Sequence, residues 1–240
     1  MPNKIVRLEP KGPEGQLVKP GAPFKAEWMA TDQPVTHGYR YIDDVVGGFW
    51  VGVWEATPFT MTPHLYSYNE FMLVQEGSVT LVNTSGGETT IRAGECFVVP
   101  QGWDGYWKQT EYVRKFAFGF KNAAWEPTDQ TSPHVIKLDP KLATEVFVDV
   151  SGQFAVGVCD TTASHRKAVA STRHEWMHIL EGAVTLTDDA GTAHGFAAGD
   201  TFLVPLGTVC DWTCNEYLRA IYCHFQPNAQ AAEKRSAALR

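Results

Sequence analysis

Long apolar runs, paired cysteines, clustered positive charge and helical periodicity are all scarce in this chain, and each scarcity excludes something. No stretch of the 240 residues approaches the roughly 18 consecutive apolar residues of a membrane-spanning helix, so no membrane partner is expected. Met1–Pro10 carries Lys4 and Arg7 but no apolar stretch and no small-residue cleavage site, which makes a secretory leader unexpected and the cytoplasm the expected compartment. Cysteine is odd in number, and Cys96, Cys159, Cys210, Cys214 and Cys223 form no C-x-x-C pair, so no disulfide framework is expected. Cys210 and Cys214 stand four apart, but no second pair exists to complete a zinc site. Positive charge falls short of negative, 20 Lys and Arg against 27 Asp and Glu, for a net charge of −7. The basic residues are scattered, with Lys234–Arg235 the one late pair, which argues against a phosphate-tracking surface and a nucleic-acid partner. No G-x-S-x-G, phosphate loop or dinucleotide fingerprint occurs, and no Ser-His-Asp set is evident.

What is present is turn chemistry and repetition. Twenty-one glycines and fourteen prolines punctuate short β-favouring runs. EGSVTL at Glu76–Leu81 recurs as EGAVTL at Glu181–Leu186, AGECFVVPQG at Ala93–Gly102 as AGDTFLVPLG at Ala198–Gly207, and EYVR at Glu111–Arg114 as EYLR at Glu216–Arg219. The offset is 105 residues each time, without gaps from about Gly47 to Phe120. A weaker echo precedes each copy: VRLEP at Val6–Pro10 resembles IKLDP at Ile136–Pro140. A period near 105 residues is too long for a solenoid unit and suits a duplicated domain. The polar, proline-bearing stretch after Phe120 reads as the linker, which places a first domain at 1–122, a linker at 123–133, a second domain at 134–227 and a tail at 228–240. The tail has helix-forming composition without an apolar face, so it reads as a short helix or a frayed end.

Within each copy the runs are short strands. Glu70–Gln75 and Val79–Asn83 flank a glycine turn and read as a hairpin, and Val113–Phe120 closes the copy as an aromatic strand. Strands of that spacing build an all-β sandwich or barrel, here two in tandem. Such barrels leave edges or faces that a partner covers. The runs Phe116–Phe120 and Ile221–Phe225 suggest such faces, and a further two-fold homodimer is the assembly they allow.

His64, Glu70 and Gly77, followed by Gly94, Pro100 and Gly102, resemble the two motifs of the cupin superfamily, whose jelly-roll barrels are RmlC-like. In that pattern Tyr66 stands for the second metal-site histidine and Gly105 for the motif-two histidine. The second copy keeps Glu175, Gly182, Gly199, Pro205 and Gly207, but its ligand positions are Val169, Ser171 and Cys210. GVWEATP at Gly52–Pro58, EFMLVQEG at Glu70–Gly77 and the spaced Gly105, Trp107, Glu111, Arg114 and Lys115 resemble the branch of ethanolamine-utilisation and ureidoglycine-aminohydrolase cupins, many of unknown function. The resemblance implies a bicupin of two tandem jelly rolls, with a pocket-bearing first copy and a degenerate second copy.

His64, Tyr66, Tyr68, Glu70 and Met72 share one parity, so on a strand they face one way, into the barrel pocket if the resemblance holds. His64, Glu70 and Tyr66 could hold one divalent metal, Mn, Fe, Ni or Zn, with water completing the shell. The retention of Glu175 without that histidine favours a structural glutamate instead. Trp54 and Trp107 read either as pocket wall or as core; Cys159 replaces Trp54 in the second copy, whereas Trp212 repeats Trp107. Glu111 and Arg114 recur as Glu216 and Arg219 and read as a structural ion pair or an interface contact. Lys115 becomes Ala220 and has the parity that points inward beside Ala117 and Gly119, where a lysine could bind a carboxylate or move a proton. His165, His174, His178 and His224 lack ligand spacing and read as surface or core residues. Two readings follow. The first is a bicupin that binds a small polar metabolite in its first barrel around a degenerate metal site. The second is a metal-dependent, hydrolase-type enzyme acting on a small nitrogenous or carboxylated metabolite.

Overall fold

The computed structural model describes residues 4–15, 19–127 and 133–228, and nearly all of its regular structure is antiparallel strand. Two compact units result, one built from Glu9–Leu138 and the other from Met1–Leu8 with Asp139–Arg240. These units depart from the boundaries read from the sequence. Val6–Arg7 pairs with Thr201–Val204 and so belongs to the second barrel, while Ile136–Lys137 pairs with Cys96–Val99 and belongs to the first. That exchange explains why VRLEP and IKLDP echo each other at an offset other than 105: each supplies the edge strand beside equivalent strands. Of the linker expected at 123–133, residues 128–132 fall outside the described residues, as do the expected tail beyond Asn228 and the side chain of Val169. Among the described residues no helix is long and apolar enough to cross a membrane.

The first barrel has two sheets. One runs in the order Ile136–Lys137, Cys96–Val99, Asn69–Glu76, Val113–Phe120, Phe49–Ala56, Thr36–Asp44, Lys19–Pro20. The other runs Phe59–Thr60, Asp104–Gln109, Ser78–Asn83, Glu88–Arg92, with His64–Leu65 also on Asp104–Gln109. Alternate side chains of both sheets meet between them, with Phe97, Trp103, Trp107, Leu81 and Ile91 all buried there. The expected hairpin across Gly77 is not formed: Asn69–Glu76 pairs with Cys96–Val99 and Val113–Phe120, whereas Ser78–Asn83 pairs in the other sheet. Gly77 turns the chain from one sheet to the other at φ +78°, and a Cβ there would stand 1.9 Å from the Tyr112 carbonyl oxygen. Gly182 does the same at φ +82°, against the Tyr217 carbonyl oxygen at 1.8 Å. Only glycine satisfies both the dihedral and the close approach. Val113–Phe120 is likewise central rather than closing, paired on both sides with Phe116, Phe118 and Phe120 buried.

The second barrel repeats the first at the 105-residue offset: Phe154–Thr161, His174–Asp188, Thr201–Val204, Val209–Cys214 and Leu218–Phe225 match their counterparts strand by strand. Arg114 and Arg219 tie the same corner in each. Arg114 Nη2 lies 2.6 Å from Glu76 and Arg219 Nη1 lies 3.1 Å from Asp160, the counterpart of Glu55. Glu111, expected as the partner of Arg114, instead accepts from the Ser78 hydroxyl at 2.5 Å. His174 is buried, and its Nδ1 accepts from the Leu206 amide at 3.3 Å.

Replacing Gly77 by alanine is expected to cost on the order of 3 kcal/mol, because both the left-handed dihedral and a backbone clash oppose the methyl group. Gly94→Ala, at φ +85° with nothing within 4 Å of the new atom, should cost only about 1 kcal/mol. Urea unfolding of the two variants checks the difference. Burial also pulls His174 and His224 down to about 4. Between there and the ordinary histidine value near 6.5 the unfolded chain binds protons that the folded barrel refuses. Stability is therefore expected to hold above that window and to decline as pH falls through it. Melting curves across the window should show a shallower decline in His174→Gln than in the parent.

Candidate functional site

Strand alternation builds the site. On Val113–Phe120 the residues Lys115 and Ala117 face a cavity of about 740 Å³ inside the first barrel, on the side away from Phe116 and Phe118. Gly119 shares their face and leaves room for a ring: a Cβ there would fall 1.9 Å from the Trp50 indole, which lines the cavity. Register places Glu70 and Trp50 on either side of Gly119, Met72 and Gly52 beside Ala117, and Trp54 beside Lys115. Of the eight pocket residues expected from the sequence, Trp54, His64, Tyr66, Tyr68, Glu70, Trp107 and Lys115 line this cavity. Met72 is fully buried behind it.

At the floor stands a charged pair. Lys115 is 6% exposed and Glu70 5%, and Lys115 Nζ lies 3.4 Å from Glu70 Oε1. The same ammonium lies 2.8 Å from Met72 Sδ, 4.4 Å from the ring centre of Trp107 and 5.1 Å from that of Trp54. Two indole faces and a thioether thus surround a cation that is largely withdrawn from water. Burial pulls Lys115 below the ordinary lysine range, and the neighbouring carboxylate pushes back. The second oxygen of Glu70 accepts the Tyr66 hydroxyl, which is itself hydrogen-bonded to that of Tyr68. Burial, reinforced by the Glu70 charge, raises both phenols well above the usual tyrosine range, so both stay neutral donors.

Toward the opening, His64 stacks flat on Trp28 with ring centres 4.7 Å apart. Its Nδ1 lies 2.8 Å from the Thr62 carbonyl oxygen, which fixes the proton on that nitrogen and leaves Nε2 an acceptor. Arg40 lies over Trp50 at 5.0 Å, and Trp54 packs edge-on against Phe24 and Phe59. Arg40, Trp50, Trp28 and Phe24 went unread in the sequence. Arg40, Trp28 and Phe24 precede the region that the repeat aligns, and Trp50 sits in it opposite Ala155. The available signal was the alternation Thr36, Gly38, Arg40 on one strand, all three of which line the cavity.

The trio expected to hold a divalent metal, His64, Glu70 and Tyr66, does not fit one. Both Glu70 oxygens are engaged, one by an ammonium and the other by a phenol whose proton burial retains. A cation already stands where the ion's charge would fall. Among the described residues no group of three or more His, Cys, Asp and Glu side chains could hold a metal.

The second barrel has changed the same positions. Ala220 replaces Lys115 and Cys159 replaces Trp54. Tyr222 replaces Ala117, and its hydroxyl lies over Gly157, 2.5 Å from where a Cβ would be. The phenol therefore fills space that the Gly52–Ala117 pair leaves open in the first barrel. The retained Glu175 takes a different cation, Arg173 Nε at 2.6 Å, and the retained Trp212 lies under Arg166 at 4.8 Å.

Comparison with the curated proteins finds no match. Among solved structures, a protein of unknown function from Pseudomonas syringae pv. tomato, of the DUF861 family, superposes with a TM-score of 0.72 at 22% identity, covering 92% of this chain and 99% of that one. The DUF861 protein Ylba from E. coli gives 0.58 at 11% identity, covering 94% and 92%. A variant of salicylate 1,2-dioxygenase from Pseudoaminobacter salicylatoxidans gives 0.54 at 12%, covering 82% and 79%. At these identities the likeness speaks for the fold, a tandem pair of cupin barrels. The model of the EutQ-like cupin domain matches twice, at residues 46–117 and 148–222, which is more than half of the sequence. This chain is a bicupin and belongs to the EutQ-like cupin family.

Proposed function

We propose that the first barrel binds a small polar metabolite without a metal ion, and that the second barrel is a structural copy. The observation that carries this reading is the Lys115–Glu70 pair at the cavity floor. A fixed ammonium supplies positive charge where a cupin metal would, and it needs no loading from solution. Ligand pockets are mainly apolar with a few convergent polar groups, and this cavity has that make-up: Trp54, Phe59 and Trp107 around Lys115, Glu70, Tyr66 and Tyr68. The floor can also hold and return a proton, since an ammonium, a carboxylate and two neutral phenols lie in one hydrogen-bonded set.

The metal-dependent enzyme reading requires a divalent ion at Glu70, and so requires Lys115 to leave the carboxylate and Tyr66 to give up its proton. Nothing in the cavity offers the ammonium a second anionic partner within ion-pair distance among the described residues. We favour the metal-free site.

Elemental analysis of protein purified without a histidine tag or chelator checks this directly. Metal is expected well below one per chain, and the melting temperature should not respond to EDTA, Mn²⁺ or Zn²⁺. Near-stoichiometric metal, with an EDTA-sensitive melting temperature that loses its sensitivity in Glu70→Gln and His64→Ala, would overturn the proposal.

A further inference from the structure

Arg40 differs from Lys115, Glu70 and His64, which also line the first barrel's cavity. Lys115 and Glu70 satisfy each other at the floor, and His64 spends its Nδ1 proton on the Thr62 carbonyl. Arg40 has no hydrogen bond and no ion pair among the described residues; what holds it is the face of Trp50. That contact holds the side chain at the cavity wall, while its five N–H donors make no hydrogen bond among the described residues. Asp43 also lines the cavity; like Arg40 it is exposed to solvent, and it stands outside ion-pair distance, so it holds Arg40 only weakly. The charge of Glu70 also favours the Arg40 cation, but from beyond ion-pair distance, and its two oxygens are taken at close range by Lys115 and Tyr66. A guanidinium fork placed over an indole, at the wall of an aromatic cavity, is able to recognise a carboxylate through two parallel hydrogen bonds.

We infer that the ligand is a small organic acid with a flat apolar body, its carboxylate paired with Arg40 and its ring or planar chain held among Trp54, Phe24 and Phe59. This rests on the reading that the first barrel binds a small molecule, and it names the class. The floor set out to Lys115 and Tyr66 then meets the far end of the molecule, where a carbonyl or hydroxyl oxygen would find donors.

The test uses matched pairs that differ only in the charged group: benzoate with benzamide, and indole-3-acetate with indole-3-acetamide, titrated by calorimetry into the full chain. The acids are expected to bind about tenfold or more tightly than their amides, the effect of one charge-assisted hydrogen-bonded pair. Arg40→Gln should erase that preference by weakening the acids alone, and Arg40→Lys, which keeps the charge and loses the fork, should fall between. Lys108→Gln, a change of exposed charge outside the cavity, should leave the preference intact. Melting curves establish that each variant is folded, and because the readout is a ratio within one variant, a modest loss of stability does not obscure it. Acids and amides binding alike, or a preference that survives Arg40→Gln, would overturn the inference while leaving a metabolite pocket in place. No binding by either member of any pair up to millimolar concentration would overturn both the inference and the pocket it rests on.

Discussion

The ammonium of Lys115 against the carboxylate of Glu70 is the interaction on which the first barrel's chemistry depends. Withdrawing two ions from water costs several kcal/mol each, and their attraction offsets that cost only when the remaining donors and acceptors are also satisfied. Here they are: Tyr66 serves the other carboxylate oxygen, and Met72, Trp107 and Trp54 surround the ammonium. Burial, reinforced by the Glu70 charge, keeps both neighbouring phenols neutral, and the pair occupies the carboxylate that a metal would need. A barrel of the same frame therefore presents an organic cation where another member of the superfamily would present an inorganic one.

Duplication shows how little backbone change that requires. The two barrels keep their strands, the glycines at 77 and 182, and the arginine corners at 114 and 219. What differs is a small set of cross-strand exchanges of size. Trp50 lies on Gly119 in the first barrel where Ala155 faces His224 in the second, and Gly52 faces Ala117 where Gly157 lies under Tyr222. The first set opens space and rims it with rings; the second fills it. The glutamate persists in both copies because each supplies it a cation, Lys115 from a neighbouring strand in one and Arg173, just ahead of the glutamate's strand, in the other. Persistence of a carboxylate is thus a statement about local charge balance rather than about a metal.

Much of this was legible in the sequence. The repeat at a constant offset disclosed two barrels, and parity turned Lys115 inward. His64, Tyr66, Tyr68 and Glu70 do line one cavity, but not from one strand, since His64 lies on His64–Leu65 in one sheet and Glu70 on Asn69–Glu76 in the other. Parity cannot tell which groups will touch, so it left Glu70 open between metal ligand and scaffold and did not pair it with Lys115. Local pattern also misread Gly77, since a glycine between two β-favouring runs looks the same whether the chain folds back or crosses to the facing sheet. The exchanged edge strands escaped because their partners lie far along the chain. Arg40 escaped because its strand has no twin in the alignment, and repetition was the main guide to what mattered.

The central claim is that Lys115 and Glu70 form one energetic unit. A double-mutant cycle on folding stability, with Glu70→Gln, Lys115→Met and the double variant in urea, tests it most directly. Each single change leaves a buried group without its partner and is expected to cost about 3–5 kcal/mol, whereas the double change removes both charges together. The account predicts a double variant at least about 2 kcal/mol more stable than the sum of the single effects implies. Single effects that add to within about 0.5 kcal/mol would contradict it, for the ammonium and the carboxylate would then be strangers in the same cavity.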